Sequence, residues 1–270
     1  MAAAAYDALA AELIALHEAP CETPPFSVRY PGFTPEAGYR AARHLHQHRL
    51  ALGWRQVGRK IGFTNRTLWK RYGVEEPMWG TVYDRTLLFA LDGSAVVPLA
   101  GLAQPRIEPE ICFKLKLNVK GKRAPSALLE CIESVTHSVE IVQCHHPDWK
   151  LTIADCCADN GLHGRLVVGA PVRVAEIPGL ADLLPAVKVV LKKNRTVVDR
   201  GVGANVLGSP LLALAFLVEA LAKQSEAPPL AAGEIITTGV LTDAHPVKPG
   251  ETWHTEIEGL PLRGLTLKFS

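Results

Sequence analysis

Residues 106–113 read RIEPEICF. Two glutamates, Glu108 and Glu110, stand two apart among apolar neighbours, with Pro109 between them. Taken as a strand, the stretch sends Arg106, Glu108, Glu110 and Cys112 to one face and Ile107, Pro109, Ile111 and Phe113 to the other. The apolar face is what a core requires. The charged face needs a reason, because an unpaired buried carboxylate is expensive. A third lone acid, Glu140, lies in HSVEIVQC at 137–144, where Ser138, Glu140 and Val142 share a strand face. At ~4 Å and an effective dielectric near 20, each pair of carboxylates facing one point repels by about 4 kcal/mol. Protonation or a divalent cation relieves that repulsion. Three oxygen ligands completed by water suit Mg2+ or Mn2+. Spacing alone leaves the other reading open, in which these acids pair with Arg106, Lys114 or Lys150.

Elements can be read outward from this stretch. Residues 1–19 read as an amphipathic helix, with Leu9, Leu13 and Leu16 repeating along one side. Residues 20–33 are a proline-rich loop. Thr34 and Pro35 start a second helix that runs to about Leu52 and stops at Gly53. A short strand covers 54–63, one or two helical turns follow at 65–73, and GVEEPMWG at 73–80 reads as a loop. Strands are then expected at 86–91, 95–98, 106–116, 137–145, 165–174, 186–192, 195–199, 234–239 and 262–269. Two helices interrupt them. One is expected over 125–135, from Leu128, Leu129, Ile132 and Val135. The other covers 209–224, capped by Ser209 and apolar nearly all round, hence buried in the fold or in a subunit interface. The class is α+β, with a helical N-terminal part at 1–75 and a β-rich catalytic part at 76–270.

Composition narrows the partners. The 270 residues are 48% hydrophobic and carry a net charge of +2, which argues for a substantial core and against nucleic acid or an anionic membrane as partner. No apolar run reaches the ~18 residues of a membrane span. The basic run Lys192-Lys193-Asn194-Arg195 reads as a solvated hairpin tip. The N-terminus lacks a basic leader region, so six reduced cysteines in a cytoplasmic protein are expected. Zinc spacing is absent around Cys144, His145, His146, Cys156 and Cys157, which weighs against a zinc site. With no G-x-G-x-x-G after a strand and no P-loop, no nucleotide cofactor is expected.

RIEPEICF followed thirty residues later by Glu140 resembles the E-x-E…E metal triad of the fumarylacetoacetate hydrolase superfamily. GRKIGFT (58–64), GVEEPMWGTVYD (73–84), DWKLTIADCCADNGLHG (148–164), GANVLGSPLLALAFLVEAL (203–221) and AAGEIITTGVLTDAHPVKPGETW (231–253) are similar to segments of its 2-keto-4-pentenoate hydratase and 4-oxalocrotonate decarboxylase branch. The resemblance runs from about residue 35 to the end. It implies a helical N-terminal part on a mixed β-rich fold of that family, with a metal at one mouth, and homo-oligomers. It also implies that Glu108, Glu110 and Glu140 hold Mg2+ or Mn2+, and that the substrate is a small 2-oxo or 2-hydroxy-enoic acid chelating the metal.

Lys60 then becomes the leading acid/base, its pKa expected to fall through desolvation. His163 is a second acid/base candidate. Asn160 is a polar contact to substrate or a catalytic water, and Thr238 with Gly239 offers a hydroxyl and an N–H to the substrate carboxylate. Asp84, Lys150 and Asp159 match family positions but also fit ion pairs or a cap. The chain departs from the pattern at Met78, where aspartate is common, at Trp79, where tyrosine is common, and at Leu162 and His163, which replace two serines. Met78, Trp79, Leu162 and His163 are therefore expected in the substrate pocket. The expected reaction is hydration of a 2-hydroxypenta-2,4-dienoate type of acid in aromatic-compound degradation. Decarboxylation of a 4-oxalocrotonate type of acid and C–C hydrolysis of an acylpyruvate, supported by His44, His46 or His48, are the alternatives. So is a non-catalytic subunit partnering a pathway enzyme.

Overall fold

The structure, a computed structural model, describes residues 3–72, 74, 76–121 and 124–270. Gly73 and Glu75 of the GVEEPMWG stretch, and the first two residues of the N-terminal helix, lie outside the described residues.

In chain order, helices α1 (Ala3–Glu18), α2 (Phe26–Arg29) and α3 (Pro35–Ala51) precede strands β1 (Gln56–Gly62), β2 (Met78–Tyr83), β3 (Leu87–Ala90) and β4 (Ser94–Val97), with the short α4 (Trp69–Tyr72) after β1. Next come β5 (Arg106–Leu115), α5 (Pro125–Leu129), β6 (Ile132–Val142), α6 (Ile153–Ala158), β7 (His163–Gly169) and β8 (Val172–Arg173). The last stretch holds α7 (Leu180–Leu183), β9 (Lys188–Lys193), β10 (Thr196–Val202), α8 (Pro210–Lys223), β11 (Ile235–Val240), β12 (His245–Pro246), β13 (Thr252–Glu258) and β14 (Thr266–Phe269).

The main sheet runs β2-β1-β11-β5-β6-β7-β3, and β12 and β8 pair with β5 and β6 beside this path. A second sheet runs β10-β9-β13-β14-β4. The helical segment ends at Ala51, and β1 belongs to the main sheet between β2 and β11. The alternation predicted for RIEPEICF is realised. Ile107 packs toward the second sheet with Trp253 and Leu267. Ile111 and Phe113 pack in the cluster that holds Leu214 and Leu217 of α8. This accounts for the nearly all-round apolar character of α8, whose Ser209 hydroxyl accepts from the Leu211 N–H.

The helix expected over 125–135 stops at Leu129, and Ile132 and Val135 belong to β6. Strand β6 is buried on both faces for nearly its whole length. Its apolar residues therefore do not alternate strictly, and Leu128, Leu129, Ile132 and Val135 fall at a spacing that also suits a helix. The expected loop at EPMWG already enters β2 at Met78, and the proline-rich loop at 20–33 contains the one-turn α2. Strand β13 was not expected at all, although Trp253 and Thr255 alternate inward along it.

The N-terminal helices form their own apolar layer, in which Leu9, Leu13 and Leu16 meet Phe26, Leu45 and Ala154. Gly38 lets α3 lie directly on α6, since a Cβ there would stand 2.3 Å from the Ala154 carbonyl oxygen. A polar staple closes the layer over the chain leading into β7. His17 Nε2 lies 2.7 Å from Asp159 Oδ1, and His145 Nδ1 lies 2.8 Å from Asp159 Oδ2. Arg49 lies 2.9 Å from His17 Nδ1. Asp159, expected as a loop or capping residue, is thus a buried anion shared by two imidazoles. Burial pushes its carboxyl up, but His145 and His17 outweigh that and hold it below the usual range. Burial depresses His17 to about 4, against the pull of Asp159.

A base with a depressed folded pKa contributes stability that is lost as pH falls, because the unfolded chain takes up the proton first. The stability advantage of the native chain over His17→Gln is therefore expected to shrink by up to about 3 kcal/mol as pH is lowered from about 6.5 to about 4. Urea unfolding of both proteins across that window measures it, and a pH-independent difference would contradict the assignment.

Candidate metal centre

Strand β6 returns beside β5 as a direct antiparallel partner, and the register sets Glu108 opposite Glu140 and Glu110 opposite Ser138. The side chains of one face therefore meet at one point. Ligand oxygens of Glu108, Glu110 and Glu140 all lie within 4.8 Å of one another. Glu110 and Glu140 are fully buried and Glu108 is half-buried. Pro109 is tolerated mid-sheet because the ladder to β11 ends beside it, at Val240 opposite Glu110.

Each carboxylate is held by a different device. Strand β11 bulges between Thr237 and Val240. The bulge aims the Gly239 N–H at Glu110 Oε2, 2.7 Å away, while the Thr237 hydroxyl donates to the same oxygen. Gly239 sits at φ 105°, and a Cβ there would stand 1.8 Å from Thr64 Oγ1, so only glycine fits. Glu140 Oε1 takes a 2.8 Å hydrogen bond from His163 Nδ1, and its Oε2 faces Lys60 Nζ at 3.2 Å. Behind Glu110, His137 bridges the Glu110 carbonyl oxygen (2.9 Å) and Thr255 Oγ1 (2.7 Å), tying the main sheet to the second. Burial holds His137 down to about 4, so its bridge is made by a neutral ring.

The electrostatics are those of a site short of positive charge. Burial pushes the Glu108 carboxyl up to about 7, with Lys60 opposing and Glu140 adding to the push. Burial, then Glu140 and Glu108, drive Glu110 well above the carboxylate range. Burial also pushes Glu140 up, but Lys60 and His163 outweigh it and hold it below its ordinary value. Glu110 Oε1 is buried and accepts no hydrogen bond, and Glu140 Oε2 meets only the Lys60 ammonium. One orphaned oxygen among three converging carboxylates that share a single ammonium fits a hard divalent cation bound through oxygen. Lys114 pairs instead with Glu133, and Lys150 with Asp148.

Beside the triad lies a cavity of about 40 Å³ walled by Lys60, Met78, Trp149, Leu151 and Leu162, with Glu108 on its edge. Lys60 and Leu162 are where the sequence places them. Lys60 Nζ donates to the Gly161 carbonyl oxygen at 2.8 Å. Its expected depressed pKa is corrected: burial lowers it, but Glu140, Glu108 and Glu110 together outweigh burial and raise it.

Other placements differ from the sequence reading. His163 does not face the cavity. It is buried behind Glu140, and its Nε2 contacts Thr86 Oγ1 at 2.8 Å, so it positions a carboxylate. The Asn160 amide is spent on the backbone N–H and carbonyl of Thr81, both at 2.9 Å. Thr238 donates to the Ile111 carbonyl oxygen, and the Gly239 N–H serves Glu110 and not a substrate. Trp79 follows Met78 on β2 and therefore points to the opposite side, where it stacks on Tyr39 with centroids 5.3 Å apart. Asp84 pairs with Arg55 at 3.0 Å. His46 meets the Tyr83 hydroxyl and His48 meets Glu18, so neither stands by the triad. Thr237, His137 and Thr86 were missed. Thr237 lies in the Thr-Gly turn already singled out, one position before the threonine chosen.

A family model described as fumarylacetoacetate (FAA) hydrolase C-terminal matches residues 64–264. The chain is 33% identical over 219 residues to a 4-oxalocrotonate decarboxylase of Pseudomonas sp, covering 81% of each. It is 32% identical over 238 residues to a 2-keto-4-pentenoate hydratase of Paraburkholderia xenovorans (strain LB400), covering 87% of this chain and 85% of the relative. A solved 4-oxalocrotonate decarboxylase from Pseudomonas putida G7, complexed with magnesium and adipate, superimposes with a TM-score of 0.90 at 28% identity, over 100% of this chain and 99% of that one. A fumarylpyruvate hydrolase from Pseudomonas aeruginosa, in complex with Mn2+ and pyruvate, shares the fold at a TM-score of 0.58 and 12% identity, over 79% and 89% of the chains. No helix among the described residues is long and apolar enough to cross a membrane.

Mg2+ is expected to raise the melting temperature of the metal-stripped native protein and to leave that of Glu110→Gln nearly unmoved. In metal-free buffer, Glu110→Gln should melt no lower than the native chain, because burial and the two neighbouring carboxylates already disfavour a charge at that position. A large loss of stability in Glu110→Gln without metal would instead mark Glu110 as a structural ion-pair member.

Proposed function

The chain belongs to the fumarylacetoacetate hydrolase family, and we propose that it is a Mg2+- or Mn2+-dependent lyase that hydrates a short 2-hydroxydienoic or 2-oxo-enoic monocarboxylate. The observation that carries the reading is the triad Glu108, Glu110 and Glu140 converging beside Lys60 at the wall of one small cavity. Relatives named as hydratases and decarboxylases of 2-oxo acids support the reaction class.

The three glutamates would hold the ion, which when bound supplies Lewis-acid polarisation of the substrate oxygen at C2. The rest is the work of the chain's own groups. Lys60 is held by the Gly161 carbonyl and by Glu140, so its Nζ is fixed at the cavity wall. The carboxylates favour its ammonium form, so Lys60 is placed as the donor of a proton to the substrate's carbon chain. His163 and Thr86 hold Glu140 in place, and Thr237 and Gly239 hold Glu110. Met78, Leu151 and Leu162 line the cavity with apolar surface that shapes the tail site.

Cavity chemistry orders the two reactions. Among the described residues lining the cavity, Lys60 is the one cation, and the remaining walls are apolar apart from Glu108. A second, distal carboxylate would meet no counter-charge there. That favours the hydratase over a decarboxylase acting on a dicarboxylic acid.

Metal-stripped protein should leave the ultraviolet absorbance of 2-hydroxypenta-2,4-dienoate unchanged, and added Mg2+ should restore its decay. In the reloaded enzyme Lys60→Gln is expected to lower kcat by about 10²- to 10⁴-fold. An unaffected rate would remove Lys60 from the chemistry. Release of CO2 from 4-oxalocrotonate, with no turnover of the dienoate, would replace the hydratase by the decarboxylase.

A further inference from the structure

Strands β1 and β2 separate two cavities. Their register sets Lys60 opposite Gly80 and Gly62 opposite Met78, and this face looks toward the metal centre. The intervening residues, Arg59 and Trp79, point to the other side. There they wall a second cavity of about 190 Å³, roofed by Tyr39, Ala42 and His46 of α3 and closed at one end by Ala227 and Pro228.

Two of the residues that wall this cavity carry donors without acceptors. The Arg59 side chain is only 1% exposed. Its NH1 pairs with Glu234 at 2.9 Å, while its Nε–H meets no acceptor. The indole N–H of Trp79 is likewise buried without a partner. Both groups donate and neither accepts, so the complementary ligand presents acceptor oxygens. A guanidinium beside an indole N–H favours a carboxylate. Ala42, Ala227 and Pro228 offer apolar surface for the rest of the molecule. Arg43 on the wall is already paired with Glu226, and Arg59 with Glu234 beyond it, so little positive charge is left over and a dianion is disfavoured. The volume exceeds that of engineered cavities that hold a benzene ring.

We propose that this second cavity is a binding site for a small monocarboxylate with an apolar body, distinct from the metal centre and facing Arg59 and Trp79. The site does not rest on the reaction proposed above, because its walls share no side chain with the triad.

Benzoate serves as the probe, with the Mg2+-loaded protein in equilibrium dialysis up to about 10 mM, the range of weak small-ligand sites. One benzoate per chain is expected. Trp79→Phe keeps the ring and removes the N–H, and Ala42→Leu narrows the cavity from the α3 side. Each should weaken binding about tenfold, as expected for losing one hydrogen bond to a charged group or the space for the ligand. Glu108→Gln, which alters only the metal centre, should bind benzoate as the native chain does. The proposal is overturned if benzoate does not bind, if both cavity variants bind it unchanged, or if Glu108→Gln abolishes binding and so places benzoate beside the metal.

Discussion

Three carboxylates brought to one point in a buried sheet are the constraint on which the rest of this structure depends. The register of β5 against β6 leaves no choice about it, because Glu108 and Glu140 are cross-strand partners and Glu110 is two residues along the same face. Like charges at such distances in a poorly solvated place demand compensation. The chain supplies only part of it: one ammonium at Lys60, one imidazole at His163, and two donors from the β11 bulge. Glu110 Oε1 stays unanswered and Glu140 Oε2 has only Lys60, a deficit that suits a divalent cation.

The surrounding architecture keeps the deficit in place. Gly239 exists for the bulge, since no side chain fits against Thr64. His137 anchors the backbone of Glu110 to the second sheet through Thr255. On the far side, the His17–Asp159–His145 staple fixes the segment that presents Gly161 to Lys60 and clamps Asn160 onto β2. The N-terminal helices thus bear on the site indirectly, by holding the loop that holds the lysine.

Much of this was legible in the sequence. Alternation along RIEPEICF and HSVEIVQC gives the shared face, and the capping signals at Thr34 and Ser209 give two helices almost to the residue. Strand alternation also contained the information that Met78 and Trp79 face opposite ways, although both were expected in one pocket. What periodicity could not give was the start of β6, at 132–135, where burial on both faces erases the contrast that distinguishes strand from helix. Nor could it assign His163, Asn160 or Thr238. Each is a polar residue in a motif, and its partner (Glu140, Thr81 or Ile111) is set by tertiary contacts at sequence separations of 23, 79 and 127.

The most direct test of the central claim is an anomalous-difference map from crystals of the native protein soaked in Mn2+. The account predicts a peak bounded by Glu108, Glu110 and Glu140. A map with no peak there, or with its peak at His17, His145 and Asp159, would contradict it.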